Sequence, residues 1–260
     1  MSPANTEYIR LIEVLNRKIW DNRLNRSRIA RWLDNFVGEV GESQVERGVA
    51  LELLSQFMMF GQSEVRQLAR CVYRDKYRCL AMQDIRRSLN GTLDAEEIRE
   101  RYLDQLDRTR FVPLGTASES GAMLAYFVRQ ENASELKKRH FLTSGELVKG
   151  SDEQRRIAYP DVKYYVFVDD LAATGSQAIE YSRSVVTLMK QLHPEVSCRY
   201  VPFFATDVAV KRIEQNTEYD KVDPVVTLDR AYKTFGETSC SLPDKQRRQF
   251  AKQVFEHYGD

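Results

Sequence analysis

The sequence predicts an α/β protein in which a parallel sheet follows an all-helical N-terminal region. Two observations lead to this fold class. Residues 1–107 show only helical spacing of apolar side chains, whereas strand-like and helix-like segments alternate from residue 108 onward. Such alternation is typical of an open parallel sheet with helices on both faces. We therefore expect a helical region over residues 1–107 and an α/β domain with a C-terminal helix over residues 108–260.

Five helices are expected in the N-terminal region, because apolar residues recur there every three or four positions. The first contains Tyr8 and Trp20, and the others begin at Asn25 or Ser27, near Ser43, at Ser63 and near Asp94. Ser, Asn and Asp are good N-caps, and glycines are expected to end three of these helices. No β-rich run occurs, so this region is expected to pack on a neighbour domain, a second copy or a partner chain.

The second half is expected to supply the sheet. Strands are predicted near 111–115, 164–168, 199–204 and 224–228, with 141–143 as a further candidate. Tyr164–Val168 is the clearest, since a continuous aromatic and β-branched run is typical of a strand buried on both faces. Helices are expected over 121–129, 178–188 and 207–215, and the last helix is expected to start at Pro243.

Composition excludes several classes. The 39 Lys and Arg against 38 Asp and Glu give a net charge of +1, which excludes a strongly basic nucleic-acid-binding chain but leaves a local basic patch open. No Cys-x-x-Cys spacing suggests a zinc site, so the four cysteines are expected to be reduced thiols. With no signal pattern and no apolar run of membrane-spanning length, a cytoplasmic protein with no membrane partner is expected.

One segment contains residues suited to binding a phosphorylated ligand. The strand ending at Val168 is followed by Asp169-Asp170 and then by Leu171–Gln177, a turn of small and polar residues leading into a helix. Carboxylates can fix vicinal hydroxyls, directly or through the water shell of a magnesium ion. Backbone N–H groups at the start of a helix favour a phosphate. Hydroxyls at one end and a phosphate at the other describe a ribose 5-phosphate.

This segment resembles the signature of the type I phosphoribosyltransferases, in which four apolar residues, two acids, a short apolar stretch and Thr-Gly bind phosphoribosyl pyrophosphate. Two positions depart from it: Ala172 replaces a larger aliphatic residue, and Gln177 replaces a small hydroxyl residue. The resemblance implies that Asp169 and Asp170 are catalytic and hold magnesium indirectly, through the ligand or water. It assigns the 5-phosphate loop to Ala173, Thr174, Gly175, Ser176 and Gln177.

In that family a pyrophosphate-binding loop follows the first strand of the sheet. The corresponding residues here are Gly115, Thr116, Ala117 and Ser118. Glu119 is discordant, because a carboxylate repels pyrophosphate, and an ordinary solvent-exposed turn remains an alternative. The family's mobile loop corresponds to residues 132–162, whose candidate contacts are Lys137, Lys138, Arg139, Arg155 and Arg156, or simply a solvated charged face.

A helical region before a divergent core also resembles the phosphoribosyltransferase-like proteins of bacterial conflict systems, including those associated with retrons. This implies that the chain binds phosphoribosyl pyrophosphate or a nucleotide with Mg²⁺ and is the effector of an anti-phage defence system. Residues 1–107 would then contact a partner protein, a second copy, or a complex of reverse transcriptase and nucleic acid. The alternative is a non-catalytic nucleotide sensor or scaffold, so whether the chain is an enzyme stays open, as does the acceptor base.

Overall fold

The computed structural model describes residues 3–114, 120–151 and 154–259, without the side chains of Pro3 and Ser120. The chain forms two compact units. The helical unit comprises Met1–Val65 and Asp229–Asp260, and the sheet unit comprises Arg66–Leu228. The boundary expected between residues 107 and 108 falls within the sheet unit and stays a prediction.

The helices are α1 (Pro3–Lys18), α2 (Arg26–Leu33), α3 (Ser43–Ser55), α4 (Gln62–Tyr73), α5 (Cys79–Ser88), α6 (Ala95–Asp107), α7 (Ser120–Glu131), α8 (Ser176–Tyr181), α9 (Thr187–Leu192), α10 (Asp207–Asn216) and α11 (Lys245–Tyr258). The strands are β1 (Thr109–Pro113), β2 (Val148–Lys149), β3 (Arg156–Ile157), β4 (Tyr164–Ala172), β5 (Ser197–Thr206), β6 (Lys221–Val222) and β7 (Val226–Leu228). Two π-helical turns, Arg74–Arg78 and Ser182–Val186, join α4 to α5 and α8 to α9.

The helical unit is built on α3. One side of α3 packs on α1, where Ile12 and Leu51 are buried together. Its other side packs on α11, where Ala50 contacts the cluster around Val254. The C-terminal helix therefore completes the core that the first three helices begin.

A buried carboxylate fixes the turn between α2 and α3. Glu46 has no exposed surface. Its carboxylate accepts hydrogen bonds from the backbone N–H groups of Gly38 (2.8 Å), Val40 (2.8 Å) and Gly41 (2.9 Å), and from the Tyr258 hydroxyl (2.9 Å). Burial alone would raise the pKa of Glu46, but these hydrogen bonds outweigh it and lower the pKa. The charged form is therefore the one that holds this turn to α11.

The sheet unit contains a five-stranded parallel sheet in the order β1-β4-β5-β6, with β7 also paired to β5. Strand β4 lies between β1 and β5, and its register runs from Thr109↔Tyr164 to Pro113↔Val168 on the β1 side. The short strands β2 and β3 form a separate antiparallel pair. The α/β fold class with a parallel sheet and preceding helices is confirmed.

Helices cover both faces of this sheet. Val112, Phe167 and Tyr200 are register partners and share one core with α8 and α10. On the other face Phe111 packs against Tyr77, at 5.3 Å between ring centroids. A strand covered on both faces needs no polar side, which explains the continuous apolar run that identified β4.

Three expectations about elements need correction. Strand β4 continues to Ala172 instead of ending at Val168, because β5 keeps pairing with it. The segment 141–143 forms only an isolated bridge, between Phe141 and Phe111. Helix α11 starts at Lys245 because the Asp244 side chain accepts from the Arg247 N–H and caps it. The two-residue strand β6 was not expected.

The cysteines Cys71, Cys79, Cys198 and Cys240 are all free thiols. Within the described ranges, no helix has both the length and the apolar character needed to cross a bilayer.

Candidate functional site

The carboxyl end of β4 extends beyond its neighbour on one side. Pairing with β1 stops at Pro113↔Val168, whereas pairing with β5 continues to Ala172↔Ala205. The residues Asp169–Ala172 therefore lie at the carboxyl edge of the sheet and, among the described residues, pair with a strand on the β5 side only. Ligands of open parallel sheets bind outside this edge. The structure thus places both acids where the sequence predicts a ligand site.

Asp169 is a buried carboxylate, with 5% of its surface exposed. Its Oδ2 accepts a hydrogen bond from the Tyr200 hydroxyl at 2.7 Å, and its Oδ1 accepts from the Asp170 N–H at 2.9 Å. Burial raises the pKa of Asp169 to about 6, the Tyr200 hydrogen bond opposes that rise, and the negative charge of Asp170 adds to it. The ring of Tyr200 stacks on the ring of Tyr219, with 5.2 Å between the ring centroids.

Asp170 is half-buried, and its carboxyl group lies close enough to that of Asp169 for the two to interact. The Asp170 Oδ1 accepts from the Leu171 N–H at 2.7 Å. A ligand arriving from solvent therefore meets the Asp170 carboxylate, while that of Asp169 is held by a tyrosine hydroxyl.

The turn between β4 and α8 contains the residues that the family resemblance assigns to the 5-phosphate loop. Gly175 has φ +75°, a left-handed conformation that glycine adopts without strain. A Cβ at this position would lie 2.7 Å from Cγ1 of Ile213, so only glycine fits between the loop and α10. Ala173, Thr174, Ser176 and Gln177 are exposed around it. The loop therefore presents small side chains and backbone to solvent at the start of a helix.

Two residues that the sequence reasoning missed hold this loop. The Thr206 hydroxyl donates to the Ala173 carbonyl at 2.8 Å. The Arg212 Nη1 donates to the Thr174 carbonyl at 2.9 Å and to Oγ of Ser176 at 3.1 Å. Both belong to the segment around α10, which follows the neighbouring strand β5. The position of α10 directly after the neighbouring parallel strand could have indicated these contacts. Helices that follow adjacent parallel strands begin at the same edge of the sheet.

The predicted pyrophosphate residues Gly115, Thr116, Ala117 and Ser118 lie outside the described residues. The described residues on either side are close together. A Cβ at Gly121 would lie 2.4 Å from the Leu114 carbonyl oxygen, so this close approach of two described residues requires glycine.

A cavity of about 960 Å³ lies beside the outer edge of β1, apart from the two aspartates. Two of the candidate basic residues line it, Lys138 and Arg139, together with Arg110. Arg139 is already paired with Asp107, at 2.9 Å. Arg156 is the first residue of β3 and Arg155 precedes it, and neither lines this cavity. The structure therefore does not gather the five basic candidates at one point.

No group of three or more His, Cys, Asp or Glu side chains that could hold a metal ion occurs among the described residues.

The chain is similar to a known protein family over most of its length. The family model named PRTase-CE matches residues 29–260, which includes the whole sheet unit and α11. The chain belongs to the PRTase-CE family. Membership makes the PRTase-CE chain a phosphoribosyltransferase-like protein and supports a related, nucleotide-binding function. The resemblance read from Tyr165–Gly175 is thereby confirmed at the level of the family.

Solved structures similar to this PRTase-CE chain are distant. The xanthine-guanine-hypoxanthine phosphoribosyltransferase of Helicobacter pylori has 10% identity and a TM-score of 0.26, over 60% of this chain and 89% of that one. The orotate phosphoribosyltransferase of Aeropyrum pernix has 12% identity and a TM-score of 0.30, over 78% and 84%. The AQ2163 protein of Aquifex aeolicus has 14% identity and a TM-score of 0.35, over 80% and 86%. No curated protein sequence matches significantly.

Proposed function

We propose that the carboxyl edge of the sheet binds phosphoribosyl pyrophosphate or a nucleotide together with Mg²⁺. One observation carries the proposal. The solvent-facing carboxylate of Asp170 and the glycine-capped loop Ala173–Gln177 follow one another on the same strand end, and a guanidinium contacts the loop. Carboxylate, phosphate loop and cation are the three features that a ribose 5-phosphate requires.

Each part has a distinct role in this proposal. Asp170 accepts hydrogen bonds from the ribose hydroxyls, and Asp169 supports it from within the sheet. The exposed loop Ala173–Gln177 receives the 5-phosphate through its N–H groups and hydroxyls. The segment 115–118 would receive the pyrophosphate, as the family signature implies.

The donor set suits magnesium, which prefers hard oxygen ligands and keeps several waters. Asp170 offers carboxylate oxygens, whereas those of the buried Asp169 already accept from the Tyr200 hydroxyl and the Asp170 N–H. When bound, magnesium would neutralise the negative charge of a pyrophosphate leaving group.

Two outcomes of binding are distinguished by turnover. In a transferase a nitrogen of the acceptor base forms a bond to ribose C1, the bond from C1 to the pyrophosphate oxygen breaks, and pyrophosphate leaves. In a sensor the ligand binds and no bond changes. The burial of Asp169 under the Tyr200 hydroxyl favours the sensor, because only one of the two acids faces solvent. Release of pyrophosphate with any base would decide for the transferase.

We also propose that the chain is a cytoplasmic effector of retron-type anti-phage defence, with residues 1–107 contacting a partner protein, a second copy or a reverse transcriptase–nucleic acid complex. Its support is the layout, a helical region preceding the core. Growth arrest or nucleotide loss on expression without a partner is the expected result. An inert phenotype in cells making folded protein would contradict it.

The binding proposal is tested by thermal unfolding with and without Mg²⁺ and phosphoribosyl pyrophosphate. Ligand at about 100 times its Kd adds about 2.7 kcal/mol, which raises the Tm of a chain of this size by about 5–10 °C. We expect Asp170→Asn to lose this shift. Asp161→Asn removes the same charge at an exposed turn and should keep it. No shift in the wild type, or a full shift in Asp170→Asn, would overturn the proposal.

A further inference from the structure

We infer that Arg212 determines specificity at this site by pairing with the 5-phosphate of the ligand, so that phosphorylated riboses are selected over unphosphorylated ones. The inference rests on the proposed function and adds to it a residue outside the Asp169–Gln177 signature. It also places one side of the phosphate site on α10, a helix that follows a different strand.

The position of the guanidinium supports this role. Arg212 Nη1 contacts the backbone of Thr174 and the hydroxyl of Ser176, so the group lies directly on the phosphate loop. Ala173–Gln177 contains no charged side chain, and Arg212 is the one cation that contacts it among the described residues. A dianion bound by this loop would therefore be neutralised chiefly by Arg212.

The side chain also keeps donors for a ligand. Both hydrogen bonds to the loop come from Nη1, and within the described ranges neither Nε nor Nη2 has a partner. Arg212 is exposed, so these donors remain within reach of solvent and ligand. A guanidinium pairs with two phosphate oxygens at once, which gives both charge and direction. A role as a simple brace for the loop would need only the Nη1 contacts.

The preceding residue supplies a matched control. Lys211 has the same charge and the same exposure, on the same helix. Successive residues of a helix are turned by about 100°, so Lys211 points away from the direction of Arg212. A long-range charge effect would be equal for the two residues, whereas a direct contact would be confined to Arg212.

The test measures binding of ribose 5-phosphate and of phosphoribosyl pyrophosphate by calorimetry, with Mg²⁺ present. Loss of a charge-assisted contact weakens binding by about 10- to 100-fold, and this is expected for Arg212→Gln with both ligands. Arg212→Lys should recover part of the loss, because lysine restores the positive charge but cannot pair with two phosphate oxygens at once as a guanidinium does. Lys211→Gln should stay within about twofold of the wild type. The salt dependence of Kd should become shallower only in Arg212→Gln, which a purely structural role would not produce.

The outcomes separate the inference from the function on which it rests. If the wild type binds and Asp170→Asn does not, but Arg212→Gln binds like the wild type, the inference fails alone. It also fails if Lys211→Gln loses as much affinity as Arg212→Gln. If the wild type binds neither ligand, the proposed function fails, and the role of Arg212 with it.

Discussion

Asp169 is buried inside the sheet unit, where its carboxyl group accepts hydrogen bonds from the Tyr200 hydroxyl and the Asp170 N–H. Burial raises its pKa to about 6 from an ordinary 3.8, although the Tyr200 hydrogen bond acts in the opposite direction. The folded state therefore favours the neutral acid more than the unfolded state does. Stability from this group is complete below about pH 4 and is lost as pH rises through about 6.

Asp169→Asn should consequently stabilise the ligand-free protein at pH 8. One pKa unit corresponds to about 1.4 kcal/mol, so we expect a gain of about 1–3 kcal/mol that disappears near pH 4. The asparagine amide can still hydrogen-bond to Tyr200. Urea unfolding of the wild type, Asp169→Asn and the control Asp161→Asn at pH 4, 6 and 8 measures this. A variant less stable than the wild type at pH 8 would contradict the assignment.

For each contact at the candidate site, the sequence predicted only one of the two contacting residues. Asp169, Asp170 and Gly175 were found because they stand together in a short motif. Tyr200 and Arg212 were not found, because their partners depend on the β4–β5 register and on how α10 packs against the loop. Neither the register nor the helix packing is encoded near the motif itself.

Among the elements, the turn from β4 into α8 depends most on one residue type. Gly175 combines a left-handed backbone with a close approach to Ile213. Two other glycines allow the left-handed backbone and the close approach to be assessed separately. Gly91 has φ +79° with open space around it, and Gly145 has open space and an ordinary backbone.

Alanine at each of these glycines should give a graded series. Gly145→Ala is expected to be close to neutral, and Gly91→Ala to cost about 1 kcal/mol for the left-handed backbone. Gly175→Ala should cost more, since the clash with Ile213 adds to the strain, and it should also weaken ligand binding. Melting temperatures and titrations test the series. Equal losses at Gly91 and Gly175 would show that the approach to Ile213 is unimportant.

Caps and periodicity made most helices predictable. The Asn25 side chain accepts from the Arg28 N–H, and the Asp94 side chain caps α6, as their positions implied. The π-helical turns Arg74–Arg78 and Ser182–Val186 were not foreseeable, because no local sequence pattern marks them. The extension of β4 past its two aspartates to Ala172 also went unseen, since Asp is a poor strand former and only pairing with β5 overrides that preference.

For the molecule as a whole, the helical unit joins segments from the two ends of the chain. The Tyr258 hydroxyl donates to Glu46 and accepts from the N–H groups of Val37, Gly38 and Glu39, at 3.1–3.2 Å. This arrangement was invisible in the sequence, where Glu46 and Tyr258 are simply polar residues of two distant helices.

Tyr258→Phe should therefore destabilise the protein by about 1–3 kcal/mol, because it leaves the Glu46 carboxylate and backbone N–H groups short of a partner. Tyr232→Phe is the control, since that hydroxyl makes no hydrogen bond to any described residue. Because the Glu46 pKa is lowered, its contribution is present above about pH 4.5 and is lost at more acid pH. Chemical unfolding at pH 7 and pH 3 should show a larger difference at pH 7. A difference as large at pH 3 would contradict the link to Glu46.

The discontinuous helical unit sets an order of events during synthesis. The ribosome releases α1–α3 first and α11 last, and every strand of the sheet lies in between. The sheet unit can complete its core on the nascent chain while Val49 and Ala50 of α3 still lack Ala251 and Val254. Throughout that interval the apolar side of α3 is exposed to chaperones and to neighbouring nascent chains.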